Sequence, residues 1–520
     1  MPKLITTFKL LTALAFTCLY LISGAQTKSN KGKEFWLGYM KHDEDTRAGM
    51  SLYITSDSNA TGTVSIPGQN WSTTFSVTAN NLTVVNVDVQ SAYMDCSDCK
   101  EDRGVKVVSN NDVIVYSHHY EGNKSDATLI LPSRTLGKKY YVMSYEEESE
   151  FIIVGVKDNT KINITPSTAI EKNGGGTRSA DVTYQITLNE GQVYQGLADD
   201  TRNGDVSGTY IEVIDTGATA NCRTVAVFSG NAYARIGNCP GGWGTFNSGD
   251  NLLEQMFPIT SWGNNFVLVP AADRNSDDFK IMASEDGTRV TILSSIGAPT
   301  TATLDEGEVL FLDNEDQIRF ATADKQVMVA QFQQQSRCDG RTRNGDPSMT
   351  ILNPLEQTLK DITLYSSGFY DIDDHHINVV MPTFYTSSFT LDGASITWTA
   401  VPRKPNYSYA RVKVAEGNHR LKADAGFIAT AYGKGEFESY GYAAGANVKD
   451  LTAVAEVANS PLANETSGCL GRPTKFKGEA EYQVVKWEWD FGDGNTDTVQ
   501  NPSHTYADTG IYLAKLYTYK

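Results

Sequence analysis

The sequence has 520 residues, with 44 Lys and Arg against 62 Asp and Glu, for a formal net charge of −18. A chain this long exceeds what a single core serves and is expected to divide into several domains. Its acidity, with no basic patch to offset it, repels phosphate backbones and excludes nucleic acid as a partner.

At the N-terminus Lys3 and Lys9 precede an apolar run from Leu10 to Ile22, and Ser23-Gly24-Ala25 closes it with small residues. This is the pattern of a signal peptide, residues 1–25, cleaved before Gln26, and it predicts a secreted or cell-surface protein. Losing the two lysines takes the net charge from −18 to −20. Cys18 lies inside the apolar run rather than behind a small residue at its end, which argues against a lipid anchor. No other segment has the length and apolarity of a membrane-spanning helix.

Beyond residue 26 one strand signature recurs at intervals of about a hundred residues, a spacing that marks a tandem repeat. It appears at residues 113–117 (Val-Ile-Val-Tyr-Ser), 225–229 (Val-Ala-Val-Phe-Ser), 327–331 (Val-Met-Val-Ala-Gln) and 427–431 (Phe-Ile-Ala-Thr-Ala). After the first three copies come an apolar run, a proline (Pro132, Pro258, Pro354) and a new strand, opening at Gly137, Gly263 and Asp361; Gly32 opens the first unit in the same way. Inside each unit a strand, polar turn and second strand recur, as in Ser51–Thr55 with Gly62–Ile66 and Phe279–Ala283 with Arg289–Leu293.

Alternating runs of Val, Ile, Thr, Tyr and Phe, broken by Asp-Gly, Asn-Gly and Ser/Asn clusters, predict antiparallel strands joined by tight turns. No helix longer than a turn or two is expected; Leu252–Phe257, the nearest candidate, is too short to stand alone. The expected fold is all-β: four tandem β-sandwich-like repeats of about 100 residues, with about seven strands each, the alternative being a large propeller-like ring. Expected boundaries are 26–135, 136–258, 259–357 and 358–446, a linker at 447–460 and a different module at 461–520.

Acidic loops raise the question of a cation. Clusters occur at Asp43-Glu44-Asp45, at Asp199, Asp200 and Asp205, at Asp273, Asp277 and Asp278, and at Asp371, Asp373 and Asp374. Oxygen-rich loops of this kind suit Ca²⁺, but none has EF-hand spacing, and polar turns use Asp in any case. Beyond Ca²⁺ no cofactor is expected. Six cysteines follow Cys18, an even number that suggests disulfides in an oxidising compartment. Cys222 and Cys239 flank the second signature and are the preferred pair. Cys96-Ser-Asp-Cys99 suits a short structural disulfide better than a redox or zinc site, having acidic neighbours, no helix to lower a thiol pKa and no second Cys pair. His118-His119 and His375-His376 read as solvent-facing residues, since strand neighbours point to opposite faces and cannot share one metal. The chain lacks Gly-x-Ser-x-Gly, His-Glu-x-x-His and Walker-type loops, and no catalytic residue is assigned.

Two resemblances follow. Trp487-Glu-Trp-Asp-Phe-Gly-Asp-Gly494, Asn501-Pro-Ser-His-Thr-Tyr506 and Gly510-Ile-Tyr512 resemble a PKD domain, an immunoglobulin-like sandwich of extracellular proteins. That family's pattern continues with a turn and closing strand beyond Lys520, so the module at 461–520 reads as C-terminally incomplete, and Cys469 as separated from a partner. Leu253-Glu-Gln-Met-Phe-Pro258, Ser261-Trp-Gly263, Phe279–Ile292 and Gly345-Asp-Pro-Ser-Met-Thr-Ile-Leu352 with Leu355-Glu-Gln resemble the N-terminal domain of the IgGFc-binding protein family in its bacterial form, most strongly from about 220 to 445. The resemblance implies an extracellular protein, non-enzymatic, in a family named for binding immunoglobulin Fc. In its bacterial members PKD modules and a C-terminal anchoring or secretion signal follow. The cysteine-rich mucin-like modules of the animal members are absent here, and no catalytic residues carry over.

The expected function is therefore adhesion, with the repeats binding an extracellular glycan, mucin or protein and the PKD module as spacer. Surface anchoring would come through a region beyond residue 520. Trp243, Trp262 and Trp398 are candidates for stacking on sugars. The alternatives are an enzyme acting on extracellular polysaccharide, with paired carboxylates in a cleft, and a self-associating matrix protein.

Overall fold

A computed structural model describes residues 29–43, 49–121, 123–214, 223–237, 248–339, 345–368, 371–448, 454–457, 473–480, 484–508, 512 and 514–519. Among them the chain is β-structure, with one four-residue α-helix, Val89–Ala92, and short 3₁₀ turns. Among the described residues no helix is long and apolar enough to cross a membrane.

Each unit is a sandwich of two antiparallel sheets, and in three of the four the sheets share one long, bent strand. In the first unit this strand is Val105–Glu121. Its first half pairs with Gly32–Leu37 and Ala60–Ile66, its second with Gly49–Thr55 and Lys124–Ile130. The third unit repeats the plan with Arg319–Gln333, and the fourth with Gly417–Gly435. In the second unit the two halves are separate strands, Tyr210–Ile214 and Val225–Ala234, serving separate sheets. The sequence signatures fall in the second half of this strand and, in the second unit, in the strand Val225–Ala234 that takes its place. Both of its faces are covered: Val113 and Val115 point one way, Ile114 and Tyr116 the other, and all four are buried. This explains an unbroken apolar run where a half-exposed strand would alternate.

Punctuation between units has a steric cause. The proline that ends one unit lies against the glycine that opens a strand nearby, so that a Cβ on Gly32, Gly137 or Gly263 would overlap the Cβ of Pro132, Pro258 or Pro354 respectively. Only glycine allows that approach.

The units do not run in a row. The strand after the bent strand in each unit, here termed axial, is Lys124–Ile130, Asp250–Gln255, Ser348–Ile351 or Glu438–Ala443. These four strands pack in a cycle, first on second, second on third, third on fourth and fourth on first. Among the described residues no sheet closes into a barrel, and each unit keeps its own two-layer sandwich rather than the single radial sheet of a propeller blade. The cycle is clasped where its ends meet: Ser29 bridges Asn447, and Asn30 N donates to Ala446 O at 2.8 Å. A short strand of the first unit, Cys99–Glu101, also extends a sheet of the second by pairing with Val193–Leu197.

The C-terminal module pairs Lys486–Asp490 with Lys515–Tyr519 and Thr496–Asp497, around a small core of Phe476, Trp489 and Phe491. Phe491 stacks on His504 with ring centres 4.2 Å apart, and Gly494 takes the positive φ of its turn (91°).

Candidate functional site

The axial strands bring buried acids to the centre of the molecule. Asp126, wholly buried, accepts a backbone N–H from every unit: Ala127 (2.9 Å) of its own strand, Leu253 (3.1 Å), Met349 (3.2 Å) and Gly441 (3.3 Å). Burial pushes its carboxyl well up from the usual range, and these four amides pull it back. Beside it, Glu254 accepts from Thr128 Oγ1 (2.6 Å) and Ile351 N (3.2 Å), and Thr128 Oγ1 accepts in turn from Gln255 N (2.9 Å).

Asp250, Asp346 and Glu438 are buried nearby, and their mutual repulsion adds to burial. Burial raises Asp346 to about 7 and Glu438 to about 8; Asp250 is raised well above its ordinary value. Ser125 Oγ donates to Glu438 at 2.6 Å, while Asp250, among the described residues, accepts from the neighbouring Asn251 N (2.8 Å) and its Oδ2 makes no hydrogen bond. Lys124 and Arg274 are the cations that pull Asp346 down. Asp126, Glu254 and Glu438 join different axial strands, and carboxyls so deeply enclosed do not reach a dissolved substrate. Sequence reasoning passed over all five. The one local signal is an acid inside the strand-forming run that precedes the repeated proline, at Asp126 and Glu254.

The acidic loops proposed for Ca²⁺ do different things. Asp200 is exposed and ties its own turn, accepting from Arg202 N and Asn203 N (3.0 and 3.2 Å), and these bonds with that from the Asn203 side chain hold its carboxyl below the usual range. Asp199 is exposed, and Asp205 meets Lys280 Nζ at 2.5 Å. Asp277 and Asp278 are buried, the former accepting from Ala271 N and Gln331 Nε2, the latter from Asn314 N, Gln334 Nε2 and Tyr145 OH. Asp371 and Asp373 are exposed. Two members of different loops do converge: Asp273 of the third unit and Asp374 of the fourth lie with His376, one ligand-type atom of each within 4.8 Å of the others.

The histidines are not solvent-facing as expected. Both rings of each pair are buried, because both faces of these strands are covered. His118 Nδ1 meets Tyr53 OH at 2.9 Å, and burial pushes it down to about 3; His375 Nδ1 meets Tyr440 OH at 3.2 Å. Trp262 is likewise core, its indole donating to Phe257 O at 3.1 Å, and Trp398 packs edge-on against Phe389. Trp243, Cys222 and Cys239 lie outside the described residues.

Cys96 and Cys99 are joined in a disulfide. The loop it closes docks on the second unit, with Asp98 accepting from Arg178 Nε (2.8 Å) and Tyr194 OH (3.0 Å). Cys338 is disulfide-bonded too, to a partner outside the described residues. Beside the first disulfide an open recess of about 330 Å³ is lined by Gln90, Tyr93, Asp95, Cys96, Glu101 and Arg103.

Comparison with known proteins agrees with the resemblances read from sequence. A PKD domain matches residues 455–519. A curated relative, collagenase ColA of Bacillus cereus, is 24% identical over 162 residues, which cover 30% of this chain and 16% of that protein. The chain thus matches less than a fifth of that relative's length. The IgGFc binding protein family matches residues 126–433, from the axial Asp126 to the bent strand of the fourth unit; with more than half of its length so matched, the chain belongs to that family.

Proposed function

We propose that this chain is an extracellular, non-enzymatic binding protein: the cycle of four sandwiches recognises a glycan, mucin or protein ligand, and the PKD module spaces it from whatever it is attached to. The observation that carries this reading is the use made of the reactive side chains. Asp126 and Glu254, whose pKa values are raised, and the paired histidines are buried in seams and cores, where they meet backbone amides and tyrosines, and so are unsuited to meeting a substrate. What is left for a ligand is the outer surface, including the polar recess beside the Cys96–Cys99 disulfide. Membership in a family named for binding a protein supports the same reading.

The partial likeness to a collagenase favours one competing reading, an enzyme acting on extracellular polymer, and brings collagen into the test. The purified full chain is titrated against mucin glycoproteins, polysaccharides, immunoglobulin Fc and collagen, with polymer breakdown followed in parallel. Saturable binding without breakdown is expected, weakened by Arg103→Glu if the recess takes part. Breakdown would replace this reading with the enzymatic one, and self-association with no soluble ligand would replace it with a matrix role.

A further inference from the structure

The loop closed by the Cys96–Cys99 disulfide belongs to the first unit and turns its polar groups to the second. Buried Ser97 donates from Oγ to Glu171 O (2.6 Å), and the same oxygen accepts from Leu197 N (3.0 Å). Asp98 accepts from Arg178 Nε and Tyr194 OH. The Cys96 carbonyl accepts from Nε2 of buried Gln195 (3.0 Å), whose Oε1 accepts from Lys41 N of the first unit (3.0 Å). Directly after the loop, Cys99–Glu101 forms the outermost strand of the second unit's sheet, against Val193–Leu197. A three-residue strand at a sheet edge has few hydrogen bonds of its own, so its hold depends on the loop before it. The disulfide fixes that loop's shape: Asp98, between the cysteines, has a φ of 48°, a left-handed conformation that a non-glycine residue keeps only under constraint.

The bond is also within reach of solvent. Cys99 is 8% exposed, but Cys96 is half-buried and forms a wall of the open recess of about 330 Å³. An accessible sulfur is where a disulfide yields to a thiol. Asp95 and Glu101 line the same recess, with Glu101 Oε1 3.6 Å from Cys96 Sγ, and such acidic neighbours disfavour a reactive thiolate, so the pair is suited to being acted on rather than to acting. We propose that the Cys96–Cys99 disulfide is a reducible latch between the first and second units, opened by an external dithiol that enters through the recess. One thiolate of the dithiol attacks Cys96 Sγ, the bond to Cys99 Sγ breaks, and Cys99 leaves as a thiolate that takes a proton. The second thiol, deprotonated in turn, displaces Cys96 in the same way. The protein disulfide gains two electrons and two protons, and the dithiol is oxidised to its own disulfide. Asp98 then relaxes from its left-handed conformation, Arg178, Tyr194 and Leu197 N lose their partners in the loop, and Cys99–Glu101 detaches from the edge of Val193–Leu197.

The test treats the oxidised full chain with dithiothreitol, without denaturant, and traps free thiols with iodoacetamide. Peptide mass spectrometry is expected to find both Cys96 and Cys99 alkylated. Hydrogen exchange across residues 193–197 is expected to quicken about tenfold or more on reduction, while Phe279–Ala283 in the third unit keeps its rate; oxidised dithiothreitol should restore the slow rate. The double variant Cys96→Ser, Cys99→Ser, which leaves the disulfide of Cys338 in place, should exchange fast at 193–197 with no reductant present. Alkylation of Cys96 and Cys99 only after denaturation, unchanged exchange at 193–197 in the alkylated chain, equal quickening at 279–283, a fast rate that reoxidation does not reverse, or parent-like exchange in the double variant would each overturn the assignment.

Discussion

In the third unit Phe266, Phe279, Ile281 and Val329 bury their side chains against one another, while where the four units meet Asp126 and Glu254 are as deeply buried and make directed hydrogen bonds instead. Apolar packing rewards area and accepts many small rearrangements. A carboxylate whose oxygens take amides from four strands accepts one arrangement, because a shift of any unit leaves a buried N–H without a partner. The difference assigns cohesion to the units and mutual registration to the axis.

Removing the axial acid should break that comparison most sharply. Asp126→Ala leaves four buried amides unsatisfied and is expected to cost about 4–6 kcal/mol, read by denaturant titration of the full chain. The contrasting deletion is Ile281→Ala inside the third unit, expected to cost about 3 kcal/mol as a cavity. If Ile281→Ala proved the more damaging, the axis would be a minor element.

The acids sharpen the comparison through pH. A carboxyl whose folded-state pKa is raised keeps its proton longer in the folded chain, so its contribution is full below the unfolded value and is lost as pH climbs to the folded one. For Glu438 that span runs from 4.5 to about 8. His118 works oppositely, buried neutral with its pKa lowered from 6.5 to about 3, so its contribution is lost as pH falls through that range. Above pH 6.5 the carboxyls act alone. Stability should therefore fall from pH 6.5 to 8, by about 1.4 kcal/mol per pH unit for each group still protonated. Glu438→Gln should flatten that decline by about 2 kcal/mol, and an unchanged slope would mean that Glu438 is ionised throughout. The smallest effect is expected for Glu190→Gln, which breaks a half-exposed pair with Lys106 (2.7 Å) and should change stability by less than about 0.5 kcal/mol.

The fold was legible where a local cause repeats. Runs apolar on both strand faces, and Gly–Pro contacts that admit no Cβ, leave the same trace in the sequence each time. The axis left almost none. Nothing in Ser125-Asp126-Ala127 shows that residues 253, 349 and 441 will each point an N–H at that carboxylate, since the cause is the closure of the cycle and not the segment. For the same reason Asp273 and Asp374 read as members of two loops, and the histidine pairs as solvent-facing, until neighbouring units covered them.

Closure at Ser29 and Asn447 also has a mechanical consequence. Chain enters and leaves the cycle side by side at this clasp, which Arg134 to Ser29 O (3.2 Å) and Asn447 Nδ2 to Thr358 O (3.1 Å) reinforce. Tension from a ligand on the outer face therefore crosses the sandwiches and leaves the cycle for the PKD module at Asn447, beside Ser29, so this clasp bears load that the bonds between axial strands also share.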